Sequence, residues 1–125
     1  MTNQNISLVK VRDTVLVTMP ADPDDVTVTT FQEDVLGAME KYRPKGLVLD
    51  ISGVETFDSF FARTITETSR MVAMMGGQTV ITGMHPSVAI TATQLGLTLG
   101  GILTALTVDR ALDLLAHPHP RRRLR

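Results

Sequence analysis

The sequence predicts a single α/β domain with a mostly parallel mixed sheet, and three observations support this prediction. Two short apolar runs, residues 46–51 and 78–82, are bounded by turn residues, which is typical of strands buried on both faces of a sheet. Segments with helical apolar spacing alternate with these runs. The 125 residues are 43% hydrophobic, enough for one compact core. The predicted order is β-β-α-β-α-β-α-β-α, with right-handed crossovers between parallel strands.

The chain begins with a predicted pair of strands. Residues 6–11 alternate imperfectly between apolar and polar, Arg12-Asp13 interrupts the pattern, and residues 15–19 alternate cleanly. Two alternating runs around a short polar break are typical of a β-hairpin. We therefore expect an antiparallel pair at the start of an otherwise parallel sheet.

The first helix is predicted after a breaker rich in Pro and Asp. Its apolar side chains recur at steps of three and four residues: Phe31, Val35, Met39 and Tyr42. Two starts fit the sequence. Either Asp24 or Asp25 caps the helix, or Thr30 and Glu33 form a capping box one turn later. Pro44 ends the helix in both cases.

Residues 46–51 are expected to form the central strand, and residues 78–82 the next buried strand. Between them, one helical face is apolar and Gly76-Gly77 supplies the stop. Pro86 suits the first turn of the third helix, because its missing N–H needs no partner there. The inward-facing residues of these two helices are expected to be Phe61, Ile65, Thr68, Val72 and Met75, then Val88, Ala92 and Leu95.

The end of the predicted domain is one short strand and one helix. Residues 102–106 are the strand, and Thr107 with Asp109 in the first turn starts the helix. Ala111, Leu112 and Leu115 are expected to face inward. Residues 6–116 are therefore predicted to form the domain, and residues 117–125 a flexible tail rich in Pro, His and Arg.

Composition excludes several classes of function. The chain has no Cys, which rules out disulfide scaffolds, thiolate metal sites and cysteine nucleophiles. Four of its twelve basic side chains are arginines in the last five residues, so the remainder carries eight basic against thirteen acidic groups. Nucleic acid is therefore not an expected partner. No apolar run reaches the roughly 18 residues that span a bilayer, which favours a cytoplasmic protein with no membrane partner.

No cofactor or metal is expected either. The glycine pairs lack the sequence context that cradles phosphates in nucleotide-binding loops. His117 and His119 are two potential metal ligands without a third.

The candidate site lies in the loops after residues 51 and 82, because the carboxyl ends of parallel strands share one rim of the sheet. The first loop leads into Asp58-Ser59 at the start of the second helix. One interpretation is simple N-capping by a side-chain oxygen of this pair. The other is that Ser59 accepts a phosphoryl group. A helix N-terminus tolerates a dianion, and Glu55 would add to the local negative charge.

Three aromatic residues cluster around the same turn. Phe61 is expected in the core, whereas Phe57 or Phe60 is a candidate interface residue. His85, in the second loop, is expected near the same rim.

A remote alternative is a serine hydrolase. It would use Ser59 as nucleophile, His85 as base and Asp58 or Asp50 as the orienting acid. The chain has no Gly-x-Ser-x-Gly elbow, and Asp58 is poorly placed to orient a base for its own neighbour.

With these elements in place, the chain resembles the STAS domain family, the fold of anti-sigma-factor antagonists, and more closely the RsbS-type stressosome scaffolds. The resemblance covers nearly the whole chain and rests on Phe31–Asp34, Gly46–Ile51, Asp58–Phe60, and Thr82–Thr91 with Leu95-Gly96 beyond it. Small residues usually follow the Asp-Ser pair in general STAS antagonists. Phe60 and Phe61 follow it here, which favours the RsbS type.

The resemblance implies a non-catalytic scaffold without enzymatic activity. Ser59 is then the residue that an RsbT-type serine kinase phosphorylates; the unmodified scaffold sequesters this kinase, and phosphorylation releases it. RsbR-type paralogues co-assemble with the scaffold into a large cytoplasmic particle, and self-association as a dimer or larger assembly is expected. The expected partner-binding residues are Glu55, Phe57, Asp58, Ser59, Phe60 and His85.

Two alternatives remain open from the sequence. Thr91 lies in a matching segment and is a secondary candidate for phosphorylation, although a hydroxyl inside a helix more often bonds back to the preceding turn. In function, the chain could instead be a free-standing anti-sigma-factor antagonist that uses Ser59 to control binding to an anti-sigma kinase.

Overall fold

A computed structural model describes residues 6–97 and 100–117 of the chain. In this part of the chain, strands and helices follow one another in the predicted order, which confirms the α/β fold with its N-terminal strand pair. The strands are β1 (Ser7–Val11), β2 (Thr14–Thr18), β3 (Gly46–Asp50), β4 (Gln78–Thr82) and β5 (Ile102–Ala105). The helices are α1 (Asp25–Tyr42), α2 (Ser59–Met74), α3 (Pro86–Gln94) and α4 (Val108–Ala116).

The strands form one sheet in which β1 to β5 lie side by side in sequence order. β1 pairs antiparallel with β2, and every later pair is parallel. β3 is therefore central, and residues 46–49 of it are buried, as predicted. Each parallel connection returns the chain to the same end of the sheet. The carboxyl ends of β2, β3 and β4, with the loops that follow them, thus form one edge of the molecule, here called the carboxyl rim.

The two faces of the sheet carry unequal layers. Successive residues of a strand point to opposite faces, so Leu47 and Leu49 join a larger core together with Phe31 of α1 and Phe61 of α2. Val48 belongs to a smaller core on the other face, which α4 covers. The helices that start at the carboxyl rim are thereby anchored by the larger core.

Asp24 decides between the two predicted starts of α1. Its carboxylate accepts a 2.8 Å hydrogen bond from the backbone N–H of Thr27, and the helix begins at Asp25. The predicted capping box of Thr30 with Glu33 is wrong, because both residues lie inside the helix. Hydrogen bonds from the backbone N–H and the hydroxyl of Thr27 lower the pKa of the Asp24 carboxyl below its ordinary value.

Three residues predicted to face the core are exposed instead. Tyr42, Met75 and Leu95 expose 40%, 47% and 39% of their surface. Tyr42 is the last residue of α1, and Met75 and Leu95 are the C-caps of α2 and α3. The apolar spacing continues to these positions, but each one stands at the end of its helix, where the chain leaves the helix for the next strand. The earlier positions of each predicted face are buried.

Within residues 6–97 and 100–117, no helix is long and apolar enough to cross a membrane. No three His, Asp or Glu side chains come together in this part of the chain as a metal site. The predicted flexible tail lies outside the described residues except for His117, the C-cap of α4.

Candidate functional site

The loops after β3 and β4 leave the sheet side by side, as predicted. Asp50 and Thr82 are paired at the ends of the two strands. The Asp50 carboxylate accepts hydrogen bonds from the backbone N–H of Ser52 at 3.0 Å and from the Thr82 hydroxyl at 3.4 Å. The backbone N–H of Ile51 donates to the Thr82 carbonyl oxygen at 2.9 Å. These bonds tie the two loops together at their origin.

Gly83 allows the two loops to approach closely. Its φ of +76° lies in the left-handed region, and a Cβ added there would stand 2.5 Å from the Cβ of Ser52 and 2.8 Å from its Cα. Two residues further on, exposed His85 donates from Nε2 to the Ser52 carbonyl oxygen. A carbonyl oxygen only accepts, so this bond places the ring proton on Nε2.

A third loop, which follows β2, holds the segment before α2 from the other side. The backbone N–H groups of Glu55 and Thr56 both donate to the carbonyl oxygen of Ala21, at 2.7 and 3.4 Å. The Thr56 hydroxyl also donates to the carboxylate of Asp22. Sequence analysis missed Asp22 because a residue in a polar breaker gives no local signal of a partner 34 positions away.

Asp58 rather than Ser59 caps α2. The Asp58 carboxylate accepts a 2.8 Å hydrogen bond from the backbone N–H of Phe61, which satisfies one of the unpaired donors of the first turn. Ser59 is the first helical residue and is exposed. The capping interpretation is therefore correct for Asp58 alone. The Ser59 hydroxyl lies at the start of the helix but does not cap it.

The three aromatic residues around this turn have different environments. Phe61 exposes 1% and Phe57 8% of its surface, and their ring centroids are 5.1 Å apart. Phe57, expected at a partner-binding surface, is therefore buried, because its ring fills the space beside Phe61. Phe60 is partly buried, and the guanidinium of Arg63 lies 5.6 Å from the centroid of its ring. Of the two candidate interface aromatics, only Phe60 is accessible to a partner.

The carboxyl rim around Ser59 is acidic. Asp22, Asp24, Glu55 and Asp58 are all exposed in the loops after β2 and β3, and neither loop contains a Lys or Arg. An anion at Ser59 would therefore join an existing negative field, which the positive end of the α2 dipole partly offsets.

The geometry disfavours a hydrolase. The Nε2 atom of His85 is a donor to the Ser52 carbonyl oxygen, and the carboxylate of Asp58 is engaged by the helix cap. Neither contact orients a base toward Ser59. The Asp50 carboxylate, the other proposed acid, accepts from Ser52 and Thr82.

Thr91 has the local hydrogen bond that the sequence predicted. Its hydroxyl donates to the carbonyl oxygen of Ser87 at 3.0 Å, one turn earlier in α3. The side chain is half-buried. Thr91 is therefore less accessible to a kinase than the exposed Ser59.

Removing the cap of α2 tests the assignment of roles at the Asp58-Ser59 pair. Asp58→Ala is expected to lower the free energy of unfolding by about 1 kcal/mol, because the Phe61 N–H loses its acceptor. Asp58→Asn keeps an acceptor oxygen and is expected to cost less. Ser59→Ala is expected to leave stability close to that of the parent chain. Urea unfolding measures all three, and a larger loss for Ser59→Ala than for Asp58→Ala would reverse the assignment.

Comparison with known proteins gives matches that extend along most of the chain. A family model described as STAS domain matches residues 5–111. The structure of a serine-to-glutamate variant of Moorella thermoacetica RsbS matches with a TM-score of 0.81 and 38% identity, over 90% of this chain and 95% of that one. A structure described as the molecular architecture of the stressosome, a signal integration and transduction hub, matches with a TM-score of 0.78 and 40% identity, over 89% and 96%.

Curated relatives from Bacillus subtilis (strain 168) are longer proteins. RsbT co-antagonist protein RsbRB is 28% identical over 102 residues, which is 82% of this chain and 37% of that protein. RsbT co-antagonist protein RsbRA is 29% identical over 81 residues, 65% of this chain and 30% of that protein. The chain thus spans about a third of the length of these relatives.

The anti-sigma factor antagonist SpoIIAA in its unphosphorylated form shares the fold, with a TM-score of 0.71 at 16% identity over 90% of this chain and 98% of that one.

The residues matched by the family model include β1 to β5, α1 to α3 and the carboxyl rim with Ser59. The chain is related to RsbS and RsbR proteins, and it belongs to the STAS domain family.

Proposed function

We propose that this chain is a non-catalytic scaffold of a cytoplasmic stressosome, where it sequesters an RsbT-type serine kinase and releases it once Ser59 is phosphorylated. The observation that carries the proposal is the division of roles at the start of α2. Ser59 is exposed, and the neighbouring Asp58 holds the cap. A hydroxyl without a capping role can be modified while the helix start stays intact.

Similarity to known proteins supports the stressosome setting. RsbS and the stressosome structure match along nearly the whole length of both chains. The curated relatives are named RsbT co-antagonists. The RsbS variant carries a glutamate in place of a serine, a substitution that introduces a negative charge. An RsbT-type kinase and RsbR-type STAS paralogues are therefore the partners that we propose for this chain.

Phosphorylation would change the charge of the binding surface rather than the fold. The kinase transfers the γ-phosphoryl group of a nucleoside triphosphate to Oγ of Ser59, which loses its proton; the bond from the γ-phosphorus to the bridging oxygen breaks and the nucleoside diphosphate leaves. The product carries close to two negative charges at pH 7, beside Asp58 and Glu55. The N-terminal amides and dipole of α2 favour an anion at this position, so the helix is retained. A kinase surface that fits the neutral serine then meets like-charge repulsion.

The proposed kinase-binding surface is the exposed part of the carboxyl rim. Phe60 contributes a partly accessible apolar ring, and His85 lies on the neighbouring loop, held against Ser52. Phe57 supports this surface from below through its contact with Phe61. The residues proposed to touch the kinase are Glu55, Asp58, Ser59, Phe60 and His85.

Particle size tests the scaffold against the free-standing anti-sigma-factor antagonist, for which the fold shared with SpoIIAA is the supporting observation. The chain purified with an RsbR-type paralogue is expected to elute as a large particle that binds an RsbT-type kinase. Each protein alone, at the same concentration, is the control. If the mixture elutes only as monomers or dimers, and the chain binds an anti-sigma kinase in that form, the free-standing antagonist is the better description.

A further inference from the structure

Arg63 lies one helical turn after Ser59 on the exposed side of α2. Residues four apart on a helix are neighbours, with Cβ atoms about 5–6 Å apart. The Arg63 side chain is exposed, and its guanidinium carbon is 5.6 Å from the centroid of the Phe60 ring. Among the described residues, Lys45 and Asp13 form an ion pair, and Arg63 forms none. The guanidinium of Arg63 therefore rests on an aromatic ring rather than on a carboxylate.

Arg63 is also the one cation that the sequence places near Ser59. Between residues 46 and 69 it is the only Lys or Arg. The other charged or titratable groups on the surrounding elements are Glu55 and Asp58 before α2, Asp22 and Asp24 after β2, Asp50 at the end of β3, His85 after β4, and Glu67 one turn beyond Arg63 on α2. A phosphate at Ser59 thus has carboxylates on the loops beside it and this guanidinium one turn along the helix.

We propose that Arg63 binds the phosphate on Ser59 and that its guanidinium leaves the ring of Phe60 in doing so. The inference rests on the proposed function only for the presence of phosphate on Ser59. A guanidinium matches phosphate oxygens with two parallel N–H donors, and the resulting hydrogen bonds are charge-assisted. The stack of Arg on Phe uses none of the N–H donors of the guanidinium and involves no second charge, whereas the phosphate offers both hydrogen-bond acceptors and opposite charge. The dianion therefore competes with the ring for the same side chain.

This exchange changes the rim in two ways at once. The phosphate becomes partly neutralised on the side of α2, so its repulsion is directed toward the loop side, where Glu55 and Asp58 lie. The ring of Phe60 loses its cover and presents more apolar surface next to the modified serine. A partner that recognises unmodified Ser59 with Arg63 stacked on Phe60 thus meets a different shape as well as a different charge.

Phosphorus NMR of the chain with phosphoserine incorporated at position 59 during translation tests the contact without any kinase. A guanidinium favours the dianion and so lowers the second pKa of the phosphate, which is about 6 in the absence of partners. Arg63→Gln is expected to raise that pKa by about 0.2–0.4 unit, which corresponds to the loss of an i,i+4 ion pair. Arg70→Gln, an exposed arginine further along α2, is the matched control and is expected to leave the pKa unchanged.

Proton NMR of the same samples follows the stack itself. In the unphosphorylated chain, the side-chain protons of Arg63 are expected to show a ring-current shift that Phe60→Leu removes. Phosphorylation of Ser59 is expected to remove this shift as well. An unchanged phosphate pKa in Arg63→Gln, or a ring-current shift that persists after phosphorylation, would overturn the inference. Failure of the proposed function appears separately, as absence of kinase capture.

Discussion

Ser59→Asp is expected to weaken capture of an RsbT-type kinase by more than about a hundredfold, whereas Ser59→Ala is expected to capture it as the parent chain does. A hundredfold loss corresponds to about 3 kcal/mol. The carboxylate introduced at position 59 lies beside Asp58 and near Glu55, so a kinase that covers this surface meets concentrated like charge. The alanine variant removes the hydroxyl and adds no charge.

Calorimetric titration of each variant with the purified kinase measures the effect, and thermal unfolding checks that both variants fold. Gln94→Glu is the matched control, because Gln94 is the exposed last residue of α3, at the helix end far from the carboxyl rim. It adds the same charge there and is expected to affect capture far less. Equal capture by Ser59→Asp and Ser59→Ala would contradict an electrostatic switch at Ser59.

Gly83→Ala is expected to lower the free energy of unfolding by about 2–4 kcal/mol, the largest stability effect expected at the rim. An L residue at this positive φ costs about 1–2 kcal/mol. In addition, the new Cβ would stand 2.8 Å from the Cα of Ser52, so the backbone of one loop must move. The same movement separates His85 from the Ser52 carbonyl oxygen, and kinase capture is expected to fall with it.

Gly76→Ala separates the two contributions. Gly76 has a φ of +92°, but a Cβ added there would meet nothing within 4 Å. This variant is expected to cost only the backbone conformation, about 1–2 kcal/mol. Urea unfolding of both variants gives the difference. Equal losses at the two glycines would mean that the approach of the loops after β3 and β4 contributes nothing to stability.

The sheet could be predicted closely because its inner strands are buried on both faces. Residues 46–51 and 78–82 are short runs dominated by apolar or β-branched residues between turn residues, and β3 and β4 lie within them. The hairpin follows from alternation on both sides of Arg12-Asp13. These signals are local and are read over a few residues.

Helix ends were less predictable. Both Asp24 and the Thr30 and Glu33 pair have the chemistry of an N-terminal signal, and local propensity does not rank them. Packing selects the earlier start of α1. Thr27 and Val28 are buried against the core, and they reach it because the first turn is already helical. Tyr42 keeps the helical period but is exposed, because it is the last residue of α1.

The sequence by itself determined the order of the elements, the central position of β3 and the placement of Asp58-Ser59 at a helix start, because apolar spacing and capping act over a few neighbouring residues. Only the tertiary structure decided that Asp58 alone is the cap, that Phe57 is buried, and that the segment before α2 is held by Ala21 from one side. The bonds to Ala21 join residues distant in sequence. They exist because parallel connections bring several loops to the same rim of the sheet.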